Sequence, residues 1–349
     1  MDAADALRDV LRALLARHCD SAAVRAAAAS PAGYDTSLWT RLCGEVGVAG
    51  LAIPEKYGGA GAGLAETLVV LEELGRVLAP TPMLGSAVVA AQALLLAGDT
   101  GAGERLLPGI AAGETVAALA WTGQAGDWSA DEVAFRATEA GVLDGEAHYV
   151  LDGDRADVLL AVAHSPGGIR LYEVDAADRV ATPALDVTRR LARIALHGVR
   201  GRLVGDRFPL DRLRDIACVA LAAEQVGAAA RALDLTVEHT RTRVQFGRPI
   251  GGFQALQHRL ADLHVLVESA RSTCYAAADA GPEPAAVAKV HCSETLQQVA
   301  AEMVQMHGGI GITWEHDAHL YFKRAHGDAY LFGSPQAHLA RLAEVAAGL

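Results

Sequence analysis

The stretch Arg243–Leu263, RVQFGRPIGGFQALQHRLADL, decides how the rest of the chain is read. It opens at the end of a long helical pattern, turns through Gly-Arg-Pro, and enters a new helical pattern after Phe253. Arg243 and Phe246 stand three apart at that helix end. Their chemistry allows two readings. An arginine at a helix end can grip a diphosphate bidentately while the neighbouring aromatic lies against a ring or ribose. Alternatively, Arg243 caps the helix carbonyls and Phe246 belongs to the core.

Working outward, residues 211–243 predict one helix of about nine turns, a length suited to a bundle. Residues 253–281 and 283–309 predict two more helices, the second ended by Gly308-Gly309, and a last helix is predicted over 335–347. The segment QMHGGIG, from Gln305, offers an amide and paired glycines that let a ligand approach the backbone closely. The same glycines suit a plain helix C-cap. His307 is either a proton carrier or structural.

The first 110 residues also read as helical. Leu7, Val10, Leu11, Leu14 and Leu15 form one apolar stripe. Residues 67–79 repeat the pattern, which Gly75 interrupts, and a further helix is predicted over 85–97. From about residue 115 the texture changes to short runs punctuated by Gly, Asp and Pro, which predicts strands. The run VLDGEAHYVLDG, residues 142–153, carries two Asp-Gly pairs, both good turn chemistry. The organisation predicted is therefore a helical domain over 1–114, a β domain over 115–207 and a helical bundle over 208–349. The fold class is α+β, mostly α.

The 349-residue chain is 52% hydrophobic with a formal net charge of −12. Its basic residues form no stripe, which argues against a nucleic-acid partner. The five cysteines are scattered without a CxxC, which suits reduced thiols in a cytoplasm rather than a disulfide frame or a zinc site. The N-terminal stretch lacks an apolar signal core, and no uncharged run of 18 apolar residues predicts a membrane span. No metal site is predicted.

Three stretches together carry a resemblance to the acyl-CoA dehydrogenase family: residues 51–79, residues 224–263, and QMHGGIGITWEHDAHLYFKRAH from Gln305 to His326. The resemblance covers nearly the whole chain. It implies the acyl-CoA dehydrogenase fold, with an N-terminal helical domain, a middle β domain and a C-terminal four-helix bundle. It also implies FAD at subunit interfaces in a dimer of dimers. Carried over residue by residue, it assigns contacts with a neighbouring subunit's FAD to Arg243, Gln245, Phe246, Ile250 and Phe253, and to Gln305, Gly308 and Gly309.

Elsewhere the sequence departs from the family pattern. The family's flavin-packing Thr-Glu-Pro segment is here AWTGQAGDW, residues 120–128, where only Thr122 survives. A second flavin-contacting segment reads YVLDG, with Leu151 in place of a threonine, and leucine has no hydrogen bond to give. Asp152-Gly153 reads as a hairpin turn. The catalytic glutamate expected in the last loop falls at Phe332 or Gly333 in LFGSPQAHLARL, and its other known location falls at Ala217. No catalytic residue is assigned. These losses resemble the base-lacking subunit of the α2β2 acyl-CoA dehydrogenases that actinobacteria use on steroid side chains. The expectation is a subunit that completes the FAD site of a second acyl-CoA dehydrogenase subunit, which supplies the glutamate. The substrate would be an acyl-CoA and the oxidant an electron-transferring flavoprotein. The rivals are a self-sufficient homotetramer with a relocated base such as Glu224, and a flavin-free hydratase or structural subunit on the same fold.

Overall fold

The computed structural model describes residues 3–347. Helices α1 (Ala3–His18), α2 (Ser21–Ala29), α3 (Thr36–Arg41), α4 (Leu64–Arg76), α5 (Ala91–Ala97) and α6 (Thr100–Ala111) come first, with a wider helical turn over Met83–Ala90 leading into α5. Eight strands follow: β1 (Ala117–Ala120), β2 (Phe135–Ala137), β3 (Val142–Leu151), β4 (Val158–Ser165), β5 (Gly168–Val174), β6 (Asp178–Thr182), β7 (Leu191–Arg200) and β8 (Arg202–Gly205). The C-terminal part holds α7 (Leu210–Thr242), the short pair β9 (Val244–Gln245) and β10 (Arg248–Pro249), then α8 (Gln254–Ala276), α9 (Pro282–His307), α10 (Ala318–Tyr330) and α11 (Pro335–Ala347).

Helix α7 is the axis of the bundle. Its Ala-rich run from Asp215 to Ala230 is buried without a break, as a helix apolar on every side must be. By length and hydropathy Leu210–Thr242 is apolar enough to cross a bilayer, but 94% of its most apolar window is packed inside the protein. Gly75, which broke the stripe of α4, is explained here. A Cβ at Gly75 would lie 2.2 Å from the Glu224 carbonyl oxygen, and one at Gly227 would lie 1.8 Å from that of Glu72. Helices α4 and α7 thus cross backbone to backbone at two glycines. One apolar core runs through this crossing and joins the N-terminal helices to α7. Helix α8 differs: Leu263, Val267, Ala270 and Cys274 form one buried stripe and most of its other residues are exposed.

The strands lie in the order β6-β7-β3-β2-β4-β5-β8, and β1 pairs in parallel with β4 along the edge it shares with β2. Two turn readings are corrected. Asp144-Gly145 is not a turn: β3 runs through it, and Gly145, at φ +138°, sits at a register shift against β7. A Cβ there would lie 2.3 Å from the Ala134 carbonyl oxygen, so glycine is required by close approach of β2. Asp152-Gly153 does turn the chain, with Asp152 at φ +54°, but it closes no hairpin. Strand β2 lies between β3 and β4, and the turn is a helical one in which Ala156 N–H donates to the Asp152 carbonyl at 3.0 Å.

Candidate functional site

The end of α7 builds one side of a shallow trough. Arg243 is its C-cap, donating its N–H to His239 O at 2.9 Å, and the chain then folds back so that Ile250 N–H donates to Arg243 O at 2.8 Å. The small ribbon of β9 and β10 pushes Phe246 outward at φ +53°, and its ring is 91% exposed. The core reading of Phe246 is therefore wrong, although Arg243 does cap its helix. Gln245, Phe246, Ile250, Phe253 and Gln305 line one trough of about 310 Å³ together with Leu256, Arg259 and Met306. Arg243, Gly308 and Gly309 lie outside its lining, as chain neighbours of the residues that form it.

Charge and space at the trough suit a planar ring joined to a diphosphate. Among the described residues, neither Arg243 nor Arg248 forms an ion pair with a carboxylate, whereas Arg259 is held by Glu302. Arg248 instead lies over the Phe253 ring, 3.9 Å from its centroid. Gly308 ends α9 at φ +63°. A Cβ at Gly308 or Gly309 would meet nothing within 4 Å, so the backbone there is open to an approaching group.

Behind the trough stand three adjoining imidazoles, His307 stacked on His239 and tilted against His316. His307 lies 4.2 Å from His239 and 4.4 Å from His316, centroid to centroid. His307 is buried and donates Nδ1–H to Met303 O at 2.7 Å. Burial drives its pKa down to about 4. Sequence reasoning noticed His307 alone. Its partners come from α7 and from the loop before α10, and no local spacing announces them.

The opposite half, between sheet and bundle, is narrowed by aromatic rings. Trp121, just after β1, lies 4.9 Å from Trp128 and 5.9 Å from Phe332, and Trp128 lies 5.2 Å from Phe332. All three rings are buried. Phe332 holds the left-handed φ of +61° that strains a residue with a Cβ. Its loop is pinned from below. Lys289 Nζ donates to the carbonyls of Asp328 (2.7 Å) and Ala329 (3.2 Å), and His338 Nε2–H donates to Phe332 O at 3.0 Å. Beside the triplet a cleft of about 380 Å³ remains, walled by Trp128, Tyr149, Leu185, Leu191, Tyr330 and Leu331. Gly333 faces away from it: a Cβ there would lie 2.8 Å from His338 Nε2.

Three carboxylates near this half, Asp186, Glu224 and Asp328, are engaged. Arg189 binds Glu224 at 2.5 Å and Asp328 at 3.0 Å, and Arg324 binds Asp186 at 2.5 Å and stands 3.8 Å from Glu224. Glu224 is buried and already held by two guanidinium groups, so it is no ready proton acceptor. Ala217 is buried in the bundle core.

Two family models match, the acyl-CoA dehydrogenase N-terminal domain over residues 1–114 and the C-terminal domain over residues 215–347. The chain belongs to the acyl-CoA dehydrogenase family. It is 46% identical over 337 residues to acyl-CoA dehydrogenase IpdE2 of Mycobacterium tuberculosis, covering 96% of this chain and 95% of that one. The IpdE2 of Mycolicibacterium smegmatis is 44% identical, with 96% of each chain covered. Among solved structures, the Tcur3481-Tcur3483 steroid ACAD superposes with a TM-score of 0.92 at 32% identity, covering 99% of this chain and 98% of that one. The ChsE4-ChsE5 complex of M. tuberculosis superposes with a TM-score of 0.91 at 28% identity and the same coverage. The cofactor of acyl-CoA dehydrogenases is FAD, and the chemistry is oxidation of an acyl-CoA thioester.

Proposed function

We propose that this acyl-CoA dehydrogenase chain works as the FAD-completing subunit of a heteromeric (α2β2) enzyme acting on a steroid-derived CoA thioester. The observation that carries the reading is the asymmetry of the two halves. One presents an open trough with an exposed aromatic and two amides, and Arg243 and Arg248, in the same segment, pair with no carboxylate among the described residues. The other is narrowed to a cleft of about 380 Å³ and carries Trp121, Trp128 and Phe332 where the family's last loop would present its base.

In this division of labour the trough receives part of a partner subunit's FAD. Phe246 covers a ring face, Gln245 and Gln305 offer amides, and Ile250 and Phe253 floor the trough. Arg243 and Arg248 hold the diphosphate, and the backbone at Gly308-Gly309 closes against it. FAD supplies the hydride acceptor, and a carboxylate must take the α-proton of the thioester. The partner, of the same family, supplies that carboxylate and binds the acyl-CoA. An electron-transferring flavoprotein reoxidises the flavin, and a cytoplasmic setting suits the five free cysteines. The steroid assignment rests on the likeness to the Tcur3481-Tcur3483 steroid ACAD. A self-sufficient homotetramer would need Glu224 as base, and that carboxylate is bound to Arg189 and Arg324.

Expression decides the matter. The chain alone should be colourless and inactive, and co-expression with its partner should give a yellow complex with one FAD per two chains. Yellow, active protein from this chain alone, or one FAD per chain in the complex, refutes the proposal.

A further inference from the structure

The histidine column lies between the two segments that form the trough. His239 sits on the last turn of α7 and its carbonyl accepts the Arg243 N–H at 2.9 Å. His307 is the last residue of α9, between Met306 of the trough and Gly308. His316 lies in the loop that follows. The stack therefore ties one motif to the other through side chains that are not part of the trough's lining.

The column is built for uncharged rings. His307 donates from Nδ1, so in its neutral form Nε2 is bare. His316 Nδ1 accepts the N–H of Ala318, the first residue of α10, at 3.1 Å. An imidazolium has no acceptor nitrogen, so protonation at Nδ1 costs this bond and leaves a cation at a helix N-terminus. A second charge on a neighbouring ring would repel it across little more than 4 Å. The groups facing the column are mostly cationic. Arg243 projects from α7; Arg25 of α2 reaches His316 O at 3.5 Å; His319 stands on α10 with Lys323 near it. The carboxylate among them, Asp317, is taken by Arg25 at 2.7 Å. Both His239 and His307 are harder to protonate than free histidine, by burial first; His316 and Arg243 add to this for His239, and for His307 the other two rings add to it against the opposing Met303 hydrogen bond.

We propose that His239, His307 and His316 are positioning residues that align the two arms of the trough, and that they do so only while uncharged, so that the chain holds FAD at neutral pH and releases it on acidification. The proposal rests on the FAD-completing role argued above. The sign follows from the linkage. Groups whose protonated form is disfavoured in the folded state contribute their full stabilisation above the ordinary histidine pKa, and lose it as pH falls from there. For His307 the window runs from the ordinary value of about 6.5 down to about 4.

The test uses the purified two-subunit complex and follows FAD release, by the rise in flavin fluorescence, from about pH 8 to about pH 4. Wild type should release FAD with a midpoint below about pH 6.5. His307→Asn keeps an N–H donor for the Met303 carbonyl but does not titrate, and should move the midpoint down by about half a unit or more. His316→Lys fixes a charge in the column and should bind FAD several-fold more weakly even at the alkaline end, with subunit assembly checked by gel filtration. A midpoint unmoved in His307→Asn, or full FAD retention by His316→Lys, overturns the inference alone. A wild-type complex that holds no FAD at the alkaline end overturns the functional reading and this inference with it.

Discussion

Phe332 is the sharpest probe of the narrowed half. Its ring is 2% exposed and boxed by Trp121 and Trp128, and its backbone sits at φ +61°. Truncation to alanine removes a fully buried aromatic from a site two large rings cannot easily refill, which places the loss near 4 kcal/mol. Going on to glycine removes one more buried methyl, worth about 0.8 kcal/mol, and adds about 0.7 kcal/mol of unfolded-chain entropy. Against this, glycine relieves left-handed strain of about 1.5 kcal/mol. The terms cancel, so Phe332→Gly should match Phe332→Ala within about 0.5 kcal/mol. Ala217→Gly, at a buried right-handed position in α7, provides the contrast and should cost about 2 kcal/mol. Urea titrations followed by tryptophan fluorescence measure these differences as midpoint shifts at constant slope. FAD content per chain in the complex should stay at the wild-type value, because the trough shares no residue with the triplet. A glycine variant less stable than the alanine variant by more than about 1 kcal/mol refutes the strain argument. Loss of FAD from either variant refutes the separation of the two halves.

Other outcomes can be checked with the same protein. Gly227→Ala places a methyl 1.8 Å from the Glu72 carbonyl oxygen and should cost about 3 kcal/mol, seen as a lowered urea midpoint, because neither helix backbone can yield locally. Arg189→Met strips the main cation from Glu224 and Asp328 and should cost about 4 kcal/mol near neutral pH. That deficit should shrink on acidification: burial already lifts the Asp328 pKa to about 6, and carboxyls raised in the folded state stabilise it as they protonate. Phe246→Ala should leave the melting temperature of the isolated chain unchanged, since the ring is 91% exposed. In the complex it should weaken FAD binding by about 10-fold or more, read by equilibrium dialysis. Gly333→Glu should leave the isolated chain inactive in an acyl-CoA oxidation assay, because its side chain would meet His338 at a strained φ of +106° rather than enter the cleft.

Periodicity and composition alone located most helices and strands, because a buried stripe repeats along the chain at the pitch of its own element. The helix over 211–243 was legible as one of a length suited to a bundle, and the helix over 335–347 was legible from its own pattern. Gln245, Phe246, Ile250, Phe253 and Gln305 of the trough were named from the sequence through the family resemblance, since the chemistry of RVQFGRPIGGF and QMHGG alone left a structural reading open. Tertiary structure decided what depended on distant partners. It showed that Gly75 and Gly227 exist to let two helices touch, and that Gly145 yields to β2 rather than turning the chain. It joined His239, His307 and His316 from three separate segments, and bound Glu224 to Arg189. It also turned an apparent gap at Phe332-Gly333 into a filled space, because Trp121 and Trp128 arrive there from the β domain some two hundred residues upstream. Local sequence records which face of an element is apolar, but pairing across the core depends on how elements meet, and no single segment carries that information.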